Sequence, residues 1–265
     1  MLVQLLGYEF YKKWKVLGNI LGGFIVIQAL LLTIIRVFLG SDATRMVMEI
    51  GTKGQNGSLT AGWISLLYFL FAAGLFVLPF IENVYRFEQD LSGKQAVLEL
   101  MIPIISWKKL LSKLIMTLFS TIVCQMMAAL SILAFFLVNS NFNKALVDLI
   151  FKNAKIIISS PAKSSYIALS MLFVLASLYM LVMFSIAFSK SISHKNRIAV
   201  PIGIGTFIAS IVISIVVVIQ IGKYPMVKFD LFGIEQSLSQ MIFDLAFIVL
   251  PFLGASSLME KRIEN

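Results

Sequence analysis

The chain has 265 residues, of which 59% are hydrophobic and only 13% charged, and its mean hydropathy is +0.95. Soluble domains are nearer half apolar and a quarter charged, so a water-soluble fold that hides this excess in its own core is excluded and lipid is the implied solvent. The net charge of +9 would suggest nucleic acid in a soluble protein. Here the cations sit in short loops beside apolar runs, which fits anionic headgroups and topology signals, and no nucleic-acid partner is expected.

Residues 1–16 place Leu2, Leu5, Leu6, Phe10 and Trp14 against Glu9, Lys12, Lys13 and Lys15. Apolar residues at three- and four-residue spacing with a basic opposite face predict a helix lying in the membrane interface, with Glu9, Lys12, Lys13 and Trp14 at the boundary. The first apolar run is long and follows a charged segment, so it is not read as a cleavable signal peptide.

Six segments are long enough to span: 17–39, 62–82, 110–138, 166–188, 198–220 and 241–259. A bilayer core of about 30 Å needs roughly 20 apolar residues in a helix. The third is longer than needed, leaving it to tilt or to extend out of the membrane at its start. The fifth opens at Pro201 and carries the β-branched run VISIVVVI. Its length and lack of an alternating polar face predict a helix there and not a strand. The fold expected is an all-α membrane protein, one transmembrane domain over 1–265 with six transmembrane helices.

An even number of spans puts both termini on one side. That side would hold thirteen of the Lys and Arg residues against nine on the other, which places the termini in the cytoplasm and the chain in the cell membrane. The outer loops are then 40–61, 139–165 and 221–240. The first is turn-rich, with GTKGQNGS, and the second contains a candidate surface helix. The third is too apolar for a free loop and is broken by Gly222, Pro225 and Gly233; short re-entrant helices before the sixth span are expected there.

Between the second and third spans lies ENVYRFEQDLSGKQAVLELMIPIISWKKLLSK, residues 82–113. It is charged at first, then amphipathic, breaks at Pro103, and ends in Trp107, Lys108, Lys109 and Lys113. An ordered amphipathic segment at the membrane surface can be gripped by a soluble partner.

Catalytic signals are lacking. His194 is the sole histidine and has no HExxH context, no GxxxxGK[ST] occurs, and Cys124 is the sole cysteine. Gly203 and Gly205 lie inside a span and read as helix packing. Asp244, near the outer end of the sixth span, reads either as a capping or loop-bonding residue or as part of a substrate pathway. Gln28 and Gln125 read as bonds across helices, with a pathway role as the alternative. No metal or cofactor is expected on this chain, and it is not expected to be an enzyme.

The run YRFEQDLSGKQAVLELMIPIISWKKLLSKLI resembles the segment after the second span of type-2 ABC exporter permeases. The resemblance rests on Asp90, Ser92, Gly93 and Lys94, then Ile102, Pro103 and Ile104, then Ser106, Lys108, Lys109 and Lys113. Ile102 stands where the family usually has leucine, and Ile105 is inserted before Ser106. The six-span pattern extends the resemblance over nearly the whole chain. It implies a permease subunit, paired with a second copy or a related chain, that docks a separate ABC ATPase holding ATP and Mg2+. It also implies a cytoplasmic coupling helix, here drawn from Arg86, Glu88, Asp90, Ser92, Gly93, Lys94 and Leu98. Spans rich in Phe, Leu, Ile and Met suit a hydrophobic or amphipathic substrate, with antimicrobial or toxin peptides first and drugs or lipid-linked glycans next. The rival readings are a secondary transporter or channel without an ATPase, an intramembrane enzyme, and a membrane anchor or sensor that recruits an ATPase.

Overall fold

In the computed structural model the described residues are 2–39, 59–92, 105–139, 159–193, 196–223, 228–230 and 235–263, with positions 148, 152 and 155. Helix α1 covers Leu2–Leu39, α2 Leu59–Ser92, α3 Ser106–Asn139, α4 Pro161–Ile192 and α5 Asn196–Lys223. Strands β1 (Lys228–Asp230) and β2 (Glu235–Ser237) follow, then α6 (Leu238–Leu258), which runs on as a π-helical turn, Met259–Ile263. Among the described residues six helices are long and apolar enough to cross a membrane, and the chain is a multi-pass, all-α membrane protein. In lipid every backbone polar group must find its partner inside the segment, which is why even the β-branched run of α5 is helical. Pro79, Pro201 and Pro251 lie inside α2, α5 and α6, as membrane helices tolerate.

Two expectations change. Residues 2–16 are helical, but they are continuous with the first span and do not form a separate interfacial helix. The buried stripe there is Leu5, Glu9, Lys13 and Leu17, one residue in four, so two charged side chains lie on the covered face. Phe10, Tyr11 and Trp14 are exposed instead. The hydrophobic pattern misassigned the inward face because neighbouring charges can bury a charged stripe, which periodicity alone does not register. In place of short re-entrant helices before the last span, the described residues form a two-stranded antiparallel ladder, with Lys228 opposite Ser237 and Asp230 opposite Glu235. Ser237 then caps α6, its side chain accepting from the Gln240 N–H at 3.2 Å. Most of 40–61 and 139–165 lies outside the described residues, as does His194.

The chain divides into two compact units. One comprises Phe10–Phe80 and Phe119–Ser159. Its α1, α2 and α3 segments enclose two apolar clusters, Leu17, Phe24, Leu75, Cys124 and Ala128, and Ile35, Tyr68 and Phe135. Tyr68 ties them together: its hydroxyl donates to the Ser131 carbonyl at 2.7 Å and lies 2.8 Å from the Ser131 hydroxyl, while its own carbonyl accepts from Gln28 Nε2 at 3.3 Å. Arg36, in the last turn of α1, donates to the Val138 carbonyl at 3.1 Å, a cation on the C-terminal end of α3. The uncharged stretch of α1 from Val16 to Ile35 rises roughly 30 Å, the thickness of the hydrocarbon core.

The other unit comprises Met1–Glu9, Ile81–Leu118 and Ser160–Asn265. Here α4 packs against both α5 and α6. Small residues set the approach: a Cβ at Gly254 of α6 would stand 2.8 Å from Phe184 Cε2 of α4, and one at Gly203 of α5 would stand 3.3 Å from Ser189 Oγ. Gly205 meets nothing within 4 Å, so the packing role expected of the glycine pair belongs to Gly203. Ser185, Ser189 and Ser191 return their hydroxyls to carbonyls of their own helix, which lets polar residues line a helix seam without orphan donors.

Candidate functional site

The second unit brings charged side chains from four helices to one place. Lys113 lies two turns inside the start of α3, Glu9 two turns inside the start of α1, Asp90 in the last turn of α2 and Lys190 in the last turn of α4. Consecutive spans cross in opposite directions, so the first parts of α1 and α3 and the last parts of α2 and α4 fall on one side of the membrane. From Leu114 to Val138, α3 carries no charge; Lys113 is its last cation before the hydrocarbon.

The Lys113 ammonium donates to Glu9 Oε1 at 3.1 Å and to Asp90 Oδ2. All three side chains are at least nine-tenths covered. A lysine carries three donors and no acceptor, so one Nζ can hold carboxylates from two helices at once. The base of the lysine is fixed too. The Thr117 hydroxyl donates to the Lys113 carbonyl at 2.7 Å, and the buried Tyr179 of α4 hydrogen-bonds the Thr117 side chain. A second ion pair joins α2 to α4: Lys190 Nζ lies 3.5 Å from Glu88 Oε1, with the lysine buried and the glutamate about one-third exposed. Arg86 pairs with Glu82 one turn back on its own helix.

This arrangement revises the residues expected to meet a partner. Arg86, Glu88 and Asp90 lie on a continuation of the second span, not on a separate helix, because α2 runs to Ser92. Asp90 is buried in the ion cluster and is not a surface contact; Glu88 keeps part of its surface open. Gly93, Lys94 and Leu98 lie outside the described residues. Glu9, expected at a lipid boundary, is an ion-pair partner instead, and Lys13 is buried as well, while Trp14 is exposed and stacks on Phe10 with centroids 5.2 Å apart. Lys12 is partly covered.

The residues placed on a possible pathway fall in different units, Gln28 and Gln125 in one and Asp244 in the other. Asp244 is exposed on α6 and accepts from Gln240 one turn back at 3.1 Å. Gln28 is buried and bonds across to α2, as expected of an interhelical amide; among the described residues its Oε1 has no hydrogen-bond partner. Gln125 is partly covered. Sequence reasoning missed Tyr179, Thr117 and Lys190. The signal available was a tyrosine, a threonine and a lysine set among apolar residues, where a buried polar group requires a partner. Among the described residues no group of three or more His, Cys, Asp or Glu is placed to hold a metal ion.

Comparison with known proteins brings no relative to this geometry: no family model matches the chain, and no curated protein or solved structure matches it significantly.

Proposed function

We infer that this protein is the membrane-spanning permease subunit of an ABC exporter. The observation that carries the reading is the polar extension of α2. The helix continues past its apolar run, through Glu82, Arg86, Glu88 and Asp90, to Ser92, and its last turns are tied by ion pairs to α3 and α4 and, through Lys113, to α1. A segment gripped at residues 82–113 by a soluble partner would therefore act on several spans together. The resemblance of that segment to type-2 exporter permeases supports the same reading, with the termini cytoplasmic, a second permease subunit beside this one, and the nucleotide held by the ATPase. Glu88, part-exposed at the end of α2, and the residues that follow Ser92 are the proposed contact. The proposed substrate is hydrophobic or amphipathic, a peptide first, moved outward. The test is ATP turnover by the purified complex in lipid: stimulation by an amphipathic peptide supports export, and turnover indifferent to every such substrate supports an anchor that recruits an ATPase.

A second reading rests on the buried ion cluster. Ionisable groups covered within spanning helices mark ion or proton pathways by default, and Glu9, Asp90 and Lys113 meet that description in a secondary transporter. Transport that persists without any ATPase and follows the proton gradient would select it.

A further inference from the structure

We propose that Lys113 is the pin of a clamp that joins the start of α1 and the end of α2 to α3, so that these helix ends shift as one body. The clamp is a property of this chain alone and holds whether or not an ATPase docks on it.

Contacts between apolar faces do not register membrane helices strongly, since lipid tails are as apolar as leucine; close packing and directional polar bonds do. The cluster supplies such bonds where three helices end. Glu9 of α1 and Asp90 of α2 both bind the Lys113 ammonium, so α1 and α2 are joined through α3. The lysine is held from below by its own helix through Thr117, and Tyr179 secures Thr117 from α4. Leu5 lies one turn before Glu9 and Leu91 lies next to Asp90, and both are buried. They report on whether their helix ends are seated.

This arrangement has a hierarchy that simple packing lacks. Removing Asp90 takes away the bond of α2 to Lys113 and leaves Glu9 on it, while Glu88 still pairs with Lys190 of α4. Removing Glu9 takes away the bond of α1 and leaves Asp90 in place. Removing Lys113 takes away both bonds.

The experiment places single cysteine reporters, Leu5→Cys, Leu91→Cys and Met183→Cys, in the full chain with Cys124→Ala, and follows alkylation by a water-soluble maleimide in native membranes. Met183 is fully buried in α4 and reports global loosening. Opening free energies set such labelling rates, and a loss of protection on the order of tenfold or more is expected where a fastening is lost. Lys113→Met should expose the reporters at 5 and 91 but not at 183. Asp90→Leu should expose 91 alone, and Glu9→Met should expose 5 alone. The exchanged pair Asp90→Lys with Lys113→Asp re-forms the bond between positions 90 and 113 and should restore protection at 91. Exposure of all three reporters together in each variant would show general loosening and overturn the clamp. Unchanged labelling in Lys113→Met, or no recovery in the exchanged pair, would overturn it as well.

Discussion

The Lys113 ammonium lies 3.1 Å from the Glu9 carboxylate, 104 residues away along the chain, and both side chains are covered by protein. A pair of this kind is costly to half-remove, because the remaining charge keeps its burial and loses its partner. Lys113→Met should therefore destabilise the chain by about 3–5 kcal/mol, read as a lowered unfolding midpoint in detergent. Replacing all three charges, with Glu9→Met and Asp90→Leu added, should recover much of that loss. A single variant no less stable than the parent would contradict the burial of the pair.

Charge reversal separates Glu88 from Asp90. Asp90→Arg puts a second cation against Lys113 inside the cluster and should destabilise strongly, by several kcal/mol. Glu88→Arg disturbs a longer pair whose glutamate is part-exposed but whose lysine is buried, so it should cost stability too, though less than Asp90→Arg. Association with the ATPase should fall more in folded Glu88→Arg than in folded Asp90→Arg, because Glu88 keeps open surface and Asp90 does not.

Close approach of α6 to α4 gives a steric prediction. Gly254→Ala forces its methyl group against the Phe184 ring and should cost about 1–3 kcal/mol, in the range of overpacked cores. Phe184→Leu in the same chain should relieve part of it. Gly205→Ala, which meets open space, should change the midpoint little. Equal effects at 254 and 205 would contradict the packing described.

Tyr68→Phe removes the hydroxyl that meets both the Ser131 carbonyl and the Ser131 hydroxyl. Interhelical hydrogen bonds in membranes are worth roughly 0.6 kcal/mol on average and up to about 1.7, so a loss in that range is expected in equilibrium unfolding. Ser131→Ala keeps the carbonyl acceptor and should cost less.

The six spanning helices were legible in the sequence because the bilayer fixes how many apolar residues a helix needs. The third span's extra length was legible too; α3 opens at Ser106 and carries Lys108, Lys109 and Lys113 in its first turns. Which charges pair was not legible. Glu9 and Lys113 are joined by a fold-level crossing that local spacing does not encode, and Asp90 reads in sequence as one more charge in a polar segment. The inward face of α1 was misread for the same reason: Glu9 and Lys13 look solvated until their neighbours are known. At 221–240, Gly222 lies inside the end of α5 and Pro225 and Gly233 lie outside the described residues; turn-forming residues do not say whether the pieces between them are helical or extended, and the described ones pair as β1 and β2.

Sidedness follows from exposed tryptophans better than from the buried Lys113. With Cys124→Ala, Trp107→Cys at the start of α3 should be labelled only from the cytoplasmic side and Trp63→Cys near the start of α2 only from outside, both positions being exposed. The opposite pattern would invert the topology proposed from the Lys and Arg distribution.

The measurement that bears most directly on the proposed function is a mild-detergent pull-down of the intact chain from its native membrane, with the co-purifying proteins identified. The permease reading predicts an ABC-type ATPase in roughly equal amount, depleted when the bait carries Glu88→Arg. A folded chain that comes down with no ATPase would contradict that reading, and Glu9, Asp90 and Lys113 would then be the first residues to test for ion-coupled transport.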